Sequence, residues 1–319
     1  MSWFIFALVC TLGWGFADLF YKFSTDESDK DSQYKIAVWV GLVMGIVAFA
    51  LLPFTETGFS VSSFLENAIK YSPASLAYII SMVIGYAGLR YLELSIVSPL
   101  ENASGAFSLV AMLVFFMVTG QVTSFWDEFS VLDVIGTIII IAGGISLAIV
   151  EKRLSREDEK NAEKKFRIGA LALLFPLAYC VFDTIGTAAD GIILDEEAGL
   201  GLGEIDVTVL YGFTFLLAGI IIWLVMLIKN KKAYNPFRLS EIKTKGTAAV
   251  FEQFGQIFYV FAMARKPMLA APMIASYCIV SVILSRLIIK EKLEKSQYAC
   301  VIAVIVGIVI LGISEGLAS

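Results

Sequence analysis

Apolar residues in this chain gather into ten stretches, each long enough to cross a lipid bilayer. A helix needs about 20 such residues to span a hydrocarbon core of about 30 Å. No water is present in that core to satisfy backbone N–H and C=O groups, so a chain of this kind is confined to helices or a closed barrel. The lengths predict helices at about residues 2–22, 35–54, 75–92, 96–120, 131–150, 168–188, 206–228, 246–264, 269–288 and 297–315. Hydrophobic residues make up 58 % of the 319 and charged residues 17 %, against about half and a quarter in soluble domains. No segment between spans is long enough to bury a core of its own. The first span has nothing basic before it and no A-x-A site after it, so it reads as a membrane helix and not as a cleaved leader.

The residue inventory narrows the chemistry. Histidine is absent, which removes the commonest general base and the commonest transition-metal ligand. Cys10, Cys180, Cys278 and Cys300 fall in or beside spans without paired spacing, and read as small buried hydrophobes. The AGLGLGE run at 198–204 has no strand before it, so it reads as a flexible loop and not as a nucleotide fingerprint. With no metal pair and no nucleophile–base arrangement, an integral-membrane enzyme is disfavoured. No cofactor, no metal and no nucleic acid is expected.

Charge sets the orientation. Twenty-one of the 24 lysines and arginines fall in the loops after spans 1, 3, 5, 7 and 9; only Lys70, Arg265 and Lys266 lie on the other side. Basic loops stay cytoplasmic. The rule puts the loop at 151–167 in the cytoplasm and both chain ends outside, in the cell membrane. That loop mixes both signs and reads as a solvated linker between two halves, 1–150 and 168–319.

The halves resemble each other. YAGLRYLELSIVSPLENASGAFS from Tyr86 parallels YVFAMARKPMLAAPMIASYCIVS from Tyr259, with proline thirteen residues on in each, at Pro99 and Pro272. Gly136 and Gly143 are spaced like Cys300 and Gly307, and WGFAD ending at Asp18 parallels YCVFD ending at Asp183. Five spans per copy is an odd number, so the second copy must insert upside down. Inverted repeats of this kind recur in transporters, with the substrate near the midplane between them.

In these features the chain resembles the drug/metabolite transporter superfamily, in its EamA-like ten-helix branch. The carrying residues are the WG near the end of span 1, with Lys22 eight residues after Trp14, the aromatic-rich third span, the proline in span 4, and Glu291, Leu293, Gln297 and Gly307 in the closing segment. The resemblance implies an all-α membrane protein of ten transmembrane helices, two inverted five-helix repeats around a central cavity. It also implies secondary transport of a small molecule; family substrates include amino acids, nucleobases, quaternary amines, sugar derivatives and drugs. Two departures stand out. Many relatives carry basic residues in the second loop and have cytoplasmic ends, whereas here that loop is acidic (Glu56, Glu66) and the charge bias inverts the orientation; and DEFSVLDVIG at 127–136 lacks the glutamine of the closing motif.

Carboxylates inside the spans point to the site. Each costs ~2.5–3.5 kcal/mol at the centre of a membrane helix on insertion scales, so it should face water, pair, or hold a proton. Helical spacing groups Trp14 and Asp18 with Thr11 and Tyr21; Tyr179 and Asp183 with Thr187, and Asp190 beyond; Glu252, Gln256 and Tyr259 with Met263, Gln253 beside them; and Glu101 with Ser104 and Ser108, Asn102 beside them. Tyr277 lies between Ser276 and Ser281, and Tyr86 heads the repeated segment. Plainer readings stand beside this one. Asp18, Asp183 and Glu252 could be solvated helix ends, Glu101 could serve backbone freed by Pro99, and the aromatics could form interfacial belts. If the stripes line a cavity, carboxylates among ring faces suit a cation. An amine, a quaternary ammonium compound or an amino acid is then favoured as substrate, moved by alternating access and open to proton coupling through a carboxylate. A sugar-derivative or lipid-linked substrate, as in a flippase, and a divalent cation are the alternatives. The expected partners are the bilayer and a small-molecule substrate, with the chain a monomer or homodimer.

Overall fold

The computed structural model describes residues 2–25, 29–55, 60–91, 94–161, 174–195, 199–200, 202–231, 233–289 and 293–318, and every regular element among them is a helix. In order they are α1 (Trp3–Ser24), α2 (Ser32–Leu51), α3 (Val61–Tyr91), α4 (Leu94–Glu101), α5 (Ser104–Val118), α6 (Phe125–Glu128), α7 (Val131–Asn161), α8 (Leu174–Ile193), α9 (Glu204–Asn230), α10 (Leu239–Glu241), α11 (Thr247–Met263), α12 (Pro267–Ile274), α13 (Tyr277–Leu284) and α14 (Lys295–Ala318). A 3-10 turn extends α2 to Phe54, and π turns lead from α10 into α11 and out of α13. Among the described residues, seven helices are long and apolar enough to cross a membrane: α1, α2 with its 3-10 turn, α3, α7, α9, α12 with α13, and α14. Their outward faces carry rows such as Leu217, Ile220, Ile221, Leu224, Val225 and Ile228 on α9, all exposed. Rows of that extent suit lipid and not water. The chain is a multi-pass membrane protein.

Ten crossing spans are expected from sequence; those not among the seven are 96–120, 168–188 and 246–264, which fall on α4 with α5, α8 and α11. The expected spans 96–120 and 269–288 are each broken in the middle. Helix α4 stops two residues after Pro99, and α12 stops two residues after Pro272. Proline has no N–H to give the preceding turn, and past each proline a side chain adds a bond to a carbonyl at the break: Asn102 Nδ2 donates to the Ser98 carbonyl at 2.6 Å, and Ser276 Oγ to the Met273 carbonyl at 2.6 Å. Helices α8 and α11 carry the polar stripes, and α11 has only 17 residues. Helix α7 runs on to Asn161, so the first part of the expected linker is helical. Residues 162–167, the start of the sixth span and Glu291 lie outside the described residues.

Helices pack in four main pairs: α2 on α9, α7 on α14, α1 on α11 and α3 on α8. Lipid supplies no hydrophobic drive between helices, so small residues that let backbones touch are what hold such pairs. A Cβ on Gly212 would lie 2.6 Å from the Met44 carbonyl oxygen, and one on Gly41 would overlap that of Phe215. Between α7 and α14, Gly136 and Gly307 each press on the other's carbonyl.

Both chain ends lie at one face. Trp3 Nε1 donates to Glu315 there, and Arg265 pairs with Glu204 at 3.1 Å and covers the Phe6 ring. At the opposite face Asp31 accepts from Lys229 at 3.2 Å and Asn230 at 2.6 Å, and Lys35 pairs with Asp29. Burial raises the Asp31 carboxyl, but these hydrogen bonds and the charges of Lys229 and Lys35 outweigh it and hold it below the usual carboxylate range.

Candidate functional site

The polar stripes converge on one chamber. Helix α1 presents Trp14, Asp18 and Tyr21, three positions that 3.6-residue periodicity places on one side. Helix α8 presents Tyr179, Asp183 and Thr187, and α11 presents Glu252 and Tyr259. The broken segments bring Glu101, Asn102 and Ser104 from one side and Ala275 and Tyr277 from the other. Its volume is about 70 Å³. That is room for several waters, well below the roughly 300–1,000 Å³ of pockets that hold drug-sized ligands.

Each carboxylate has its own surroundings. Asp18 accepts from Ser98 Oγ at 2.7 Å and Ser281 Oγ at 2.8 Å, so both broken segments converge on α1. Asp183 accepts from Ser104 Oγ at 2.6 Å. Glu252 accepts from the Tyr21 hydroxyl at 3.2 Å. Glu101 is 5 % exposed, and its Oε1 has no hydrogen-bond partner. A Cβ on Gly85 would lie 3.0 Å from that oxygen and 2.7 Å from the Tyr179 ring, so the missing side chain makes room for both. Among the described residues no lysine or arginine lines the chamber. Among the described residues no group of three carboxylates, cysteines or histidines could hold a metal ion. Aromatic rings form much of the wall. Trp14 stacks on Tyr259 at 5.2 Å and meets Tyr277 edge-on at 5.8 Å.

Hydroxyl clusters narrow the chamber at both ends. Toward the face of Asp31, Tyr86 donates to the Tyr21 hydroxyl at 3.1 Å and Tyr21 to Glu252. Toward the face holding the chain ends, Tyr78 donates to Thr187 Oγ1 at 3.0 Å and shares a short hydrogen bond with Tyr259. The tyrosines that head the two repeated segments, Tyr86 and Tyr259, stand in opposite closures.

Of the residues singled out in sequence, Trp14, Asp18, Tyr86, Glu101, Asn102, Tyr179, Asp183, Glu252, Tyr259 and Tyr277 all line the chamber. Gln256 does not; it is buried, with its Nε2 unpartnered. The Trp14 indole bonds the Glu252 carbonyl at 3.2 Å, lies over Gly255 and stacks on Tyr259, and so covers α11 at that level. Sequence reading passed over Tyr78, Met82, Gly85 and Tyr211. The first three share a helical stripe with Tyr86, which is the signal that would have found them; nothing local marks Tyr211.

Residues 198–313 match the model of the EamA-like transporter family. No curated protein matches the chain. Seventeen chains of solved structure do. One of them, titled "Crystal structure of protein", is similar to this chain with a TM-score of 0.61 at 11 % identity, covering 99 % of each. At that identity the likeness is one of fold alone.

Proposed function

We propose that this chain, with an EamA-like match over residues 198–313, is a secondary transporter of a small cationic or zwitterionic metabolite. An amine, a quaternary ammonium compound or an amino acid is the favoured cargo, carried across the cell membrane by alternating access. One observation carries this reading: four carboxylates and a set of aromatic rings share one chamber with no basic side chain among the described residues of its wall. Ring faces and carboxylates both attract positive charge. A phosphate-bearing sugar or a lipid pyrophosphate would meet only repulsion there. The small volume and the hydroxyl closures at both ends suit an occluded state, which must widen on one side or the other to admit cargo.

The same reading takes 1–150 and 168–319 as inverted five-helix repeats joined by 151–167. Counting each broken pair as one span gives five spans per half. The helix pairs support it. An in-plane twofold exchanges α1 with α8 and α3 with α11, turning the α1–α11 pair into α8–α3; α2–α9 and α7–α14 map onto themselves. The two breaks, each two residues past its proline, support it too.

Thermal melting of the purified protein with choline, methylamine, free amino acids, a nucleotide sugar and Mg²⁺ tests the cargo class. Amines or amino acids are expected to raise the melting temperature, and the nucleotide sugar to leave it unchanged. Stabilisation by the nucleotide sugar or by Mg²⁺ alone would replace this reading with one of the alternatives. Reporters fused to the two ends are expected to give an outside signal at both. A cytoplasmic signal from either would reverse the orientation that the basic loops imply.

A further inference from the structure

We propose that Asp190 is a proton-binding site, distinct from the cargo chamber and set behind its Tyr78–Tyr259 closure. Through it the chain exchanges a proton with the face that holds both chain ends. The site stands on geometry; what its proton drives rests on the transport reading above.

Asp190 lies on α8, two turns beyond Asp183, and does not line the chamber. Its exposure is 0 % and neither carboxylate oxygen has a hydrogen-bond partner. Among the described residues it makes no ion pair. The Tyr71 and Tyr78 hydroxyls on α3 and the Tyr259 hydroxyl on α11 face it, with Tyr211 on α9 and Asp183 on its own helix as the other titratable neighbours. Helices α5 and α12, also packed on α8, contain no titratable residue, and the one on α4, Glu101, belongs to the chamber. The Tyr71 hydroxyl is itself unpartnered.

An ionised carboxylate this deep, facing only neutral phenols and no counter-charge, costs several kcal/mol. A bound cation would balance it. Ca²⁺ and Mg²⁺ demand about six or more oxygens, and one carboxylate with three phenols falls short. A proton needs no further ligands and lets the carboxyl donate to a facing phenol.

A thin apolar layer separates the site from a vestibule. A Cβ on the next residue, Gly191, would touch Met112, Pro267 and Met263, and Pro267 forms part of the wall of a vestibule of about 560 Å³ shared with Gln121, Glu128, Asp195, Arg265 and Lys266. On the inner side the Tyr78 hydroxyl bonds Tyr259 and Thr187, one turn from Asp183. A tyrosine hydroxyl both donates and accepts, so a proton leaving the Asp190 carboxyl can pass inward along these hydroxyls, and outward to the vestibule when the layer of Met112, Met263 and Pro267 opens to water. The carboxylate left behind regains a proton by the reverse path, and no other reactant is consumed.

Infrared spectroscopy in proteoliposomes, without any substrate, tests the site directly. Wild-type protein near neutral pH is expected to show the C=O stretch of a protonated carboxyl, shifted in D₂O. That contribution should vanish in Asp190→Asn and persist in Asp183→Asn, and Tyr71→Phe should move its frequency. Spectra of Asp190→Asn and Tyr71→Phe that match wild type at every pH would overturn the proposal. With choline as probe, Asp190→Asn is expected to keep counterflow near wild type while pH-gradient-driven accumulation falls at least ten-fold. Equal loss of both would make Asp190 a structural residue and also overturn it. Should wild-type protein not carry choline at all, the cargo reading is what fails, and the infrared result still decides the site.

Discussion

Glu252→Gln is expected to reduce uptake of a cationic probe by two to three orders of magnitude while leaving the protein folded. Glutamine has the volume of glutamate and keeps an oxygen for the Tyr21 hydroxyl, which reaches Glu252 at 3.2 Å. What disappears is the negative charge. Loss of one partner from a buried, hydrogen-bonded charge pair costs about 2–5 kcal/mol, a fall in affinity of roughly 30-fold to several thousand-fold. Among its described residues the chamber has no lysine or arginine whose unpaired charge would mask that loss. Radiolabelled choline or methylamine uptake into proteoliposomes, alongside a melting curve, gives both numbers. Wild-type uptake in the variant would remove Glu252 from the cargo site, and a collapsed melting curve would assign it to the fold.

Gly212→Val unfolds the protein at a markedly lower temperature. The Cβ it adds would lie 2.6 Å from the Met44 carbonyl oxygen and 2.8 Å from Ala48 Cβ. Backbone cannot yield as the end of a long side chain can, so α9 must move off α2, and two further methyls enlarge the separation. Overpacking of this kind costs about 1–3 kcal/mol and sometimes more, and the upper end applies where backbone is struck. Gly144→Ala is the matching control. Its added Cβ meets nothing within 4 Å, and exchanging a mid-helix glycine for alanine gains about 0.5–1 kcal/mol. Equal melting temperatures for the two variants would show that glycine contacts do not hold α2 to α9.

Much of this architecture can be read from the chain because membrane crossing is a local constraint. A span must be apolar over its own length whatever surrounds it, so α1, α2, α9 and α14 fall close to their expected limits. The breaks at Asn102 and Ala275 are less legible. Pro99 and Pro272 mark them, but apolar residues continue on both sides, and hydropathy alone joins the pieces. The chamber is legible wherever a carboxylate sits mid-span, since that cost demands an explanation. Tyr78 escaped although it shares a helical stripe with Tyr86, because tyrosine in a membrane helix more often sits in an interfacial belt; for Tyr211 only tertiary packing shows the ring turned inward. Gln256 shares its helical stripe with Glu252 and Tyr259 but is buried outside the chamber lining.

Helix α3 contributes Tyr78 to one closure and Tyr86 to the other, eight residues or about 12 Å apart on a single helix. On the transport reading, a stiff rod holding both latches would act as a lever: a tilt that draws one tyrosine out of its hydroxyl cluster would push the other deeper into its own. Simultaneous release would require the rod itself to bend, so mechanics alone would oppose leakage straight through the molecule, before any cargo arrives.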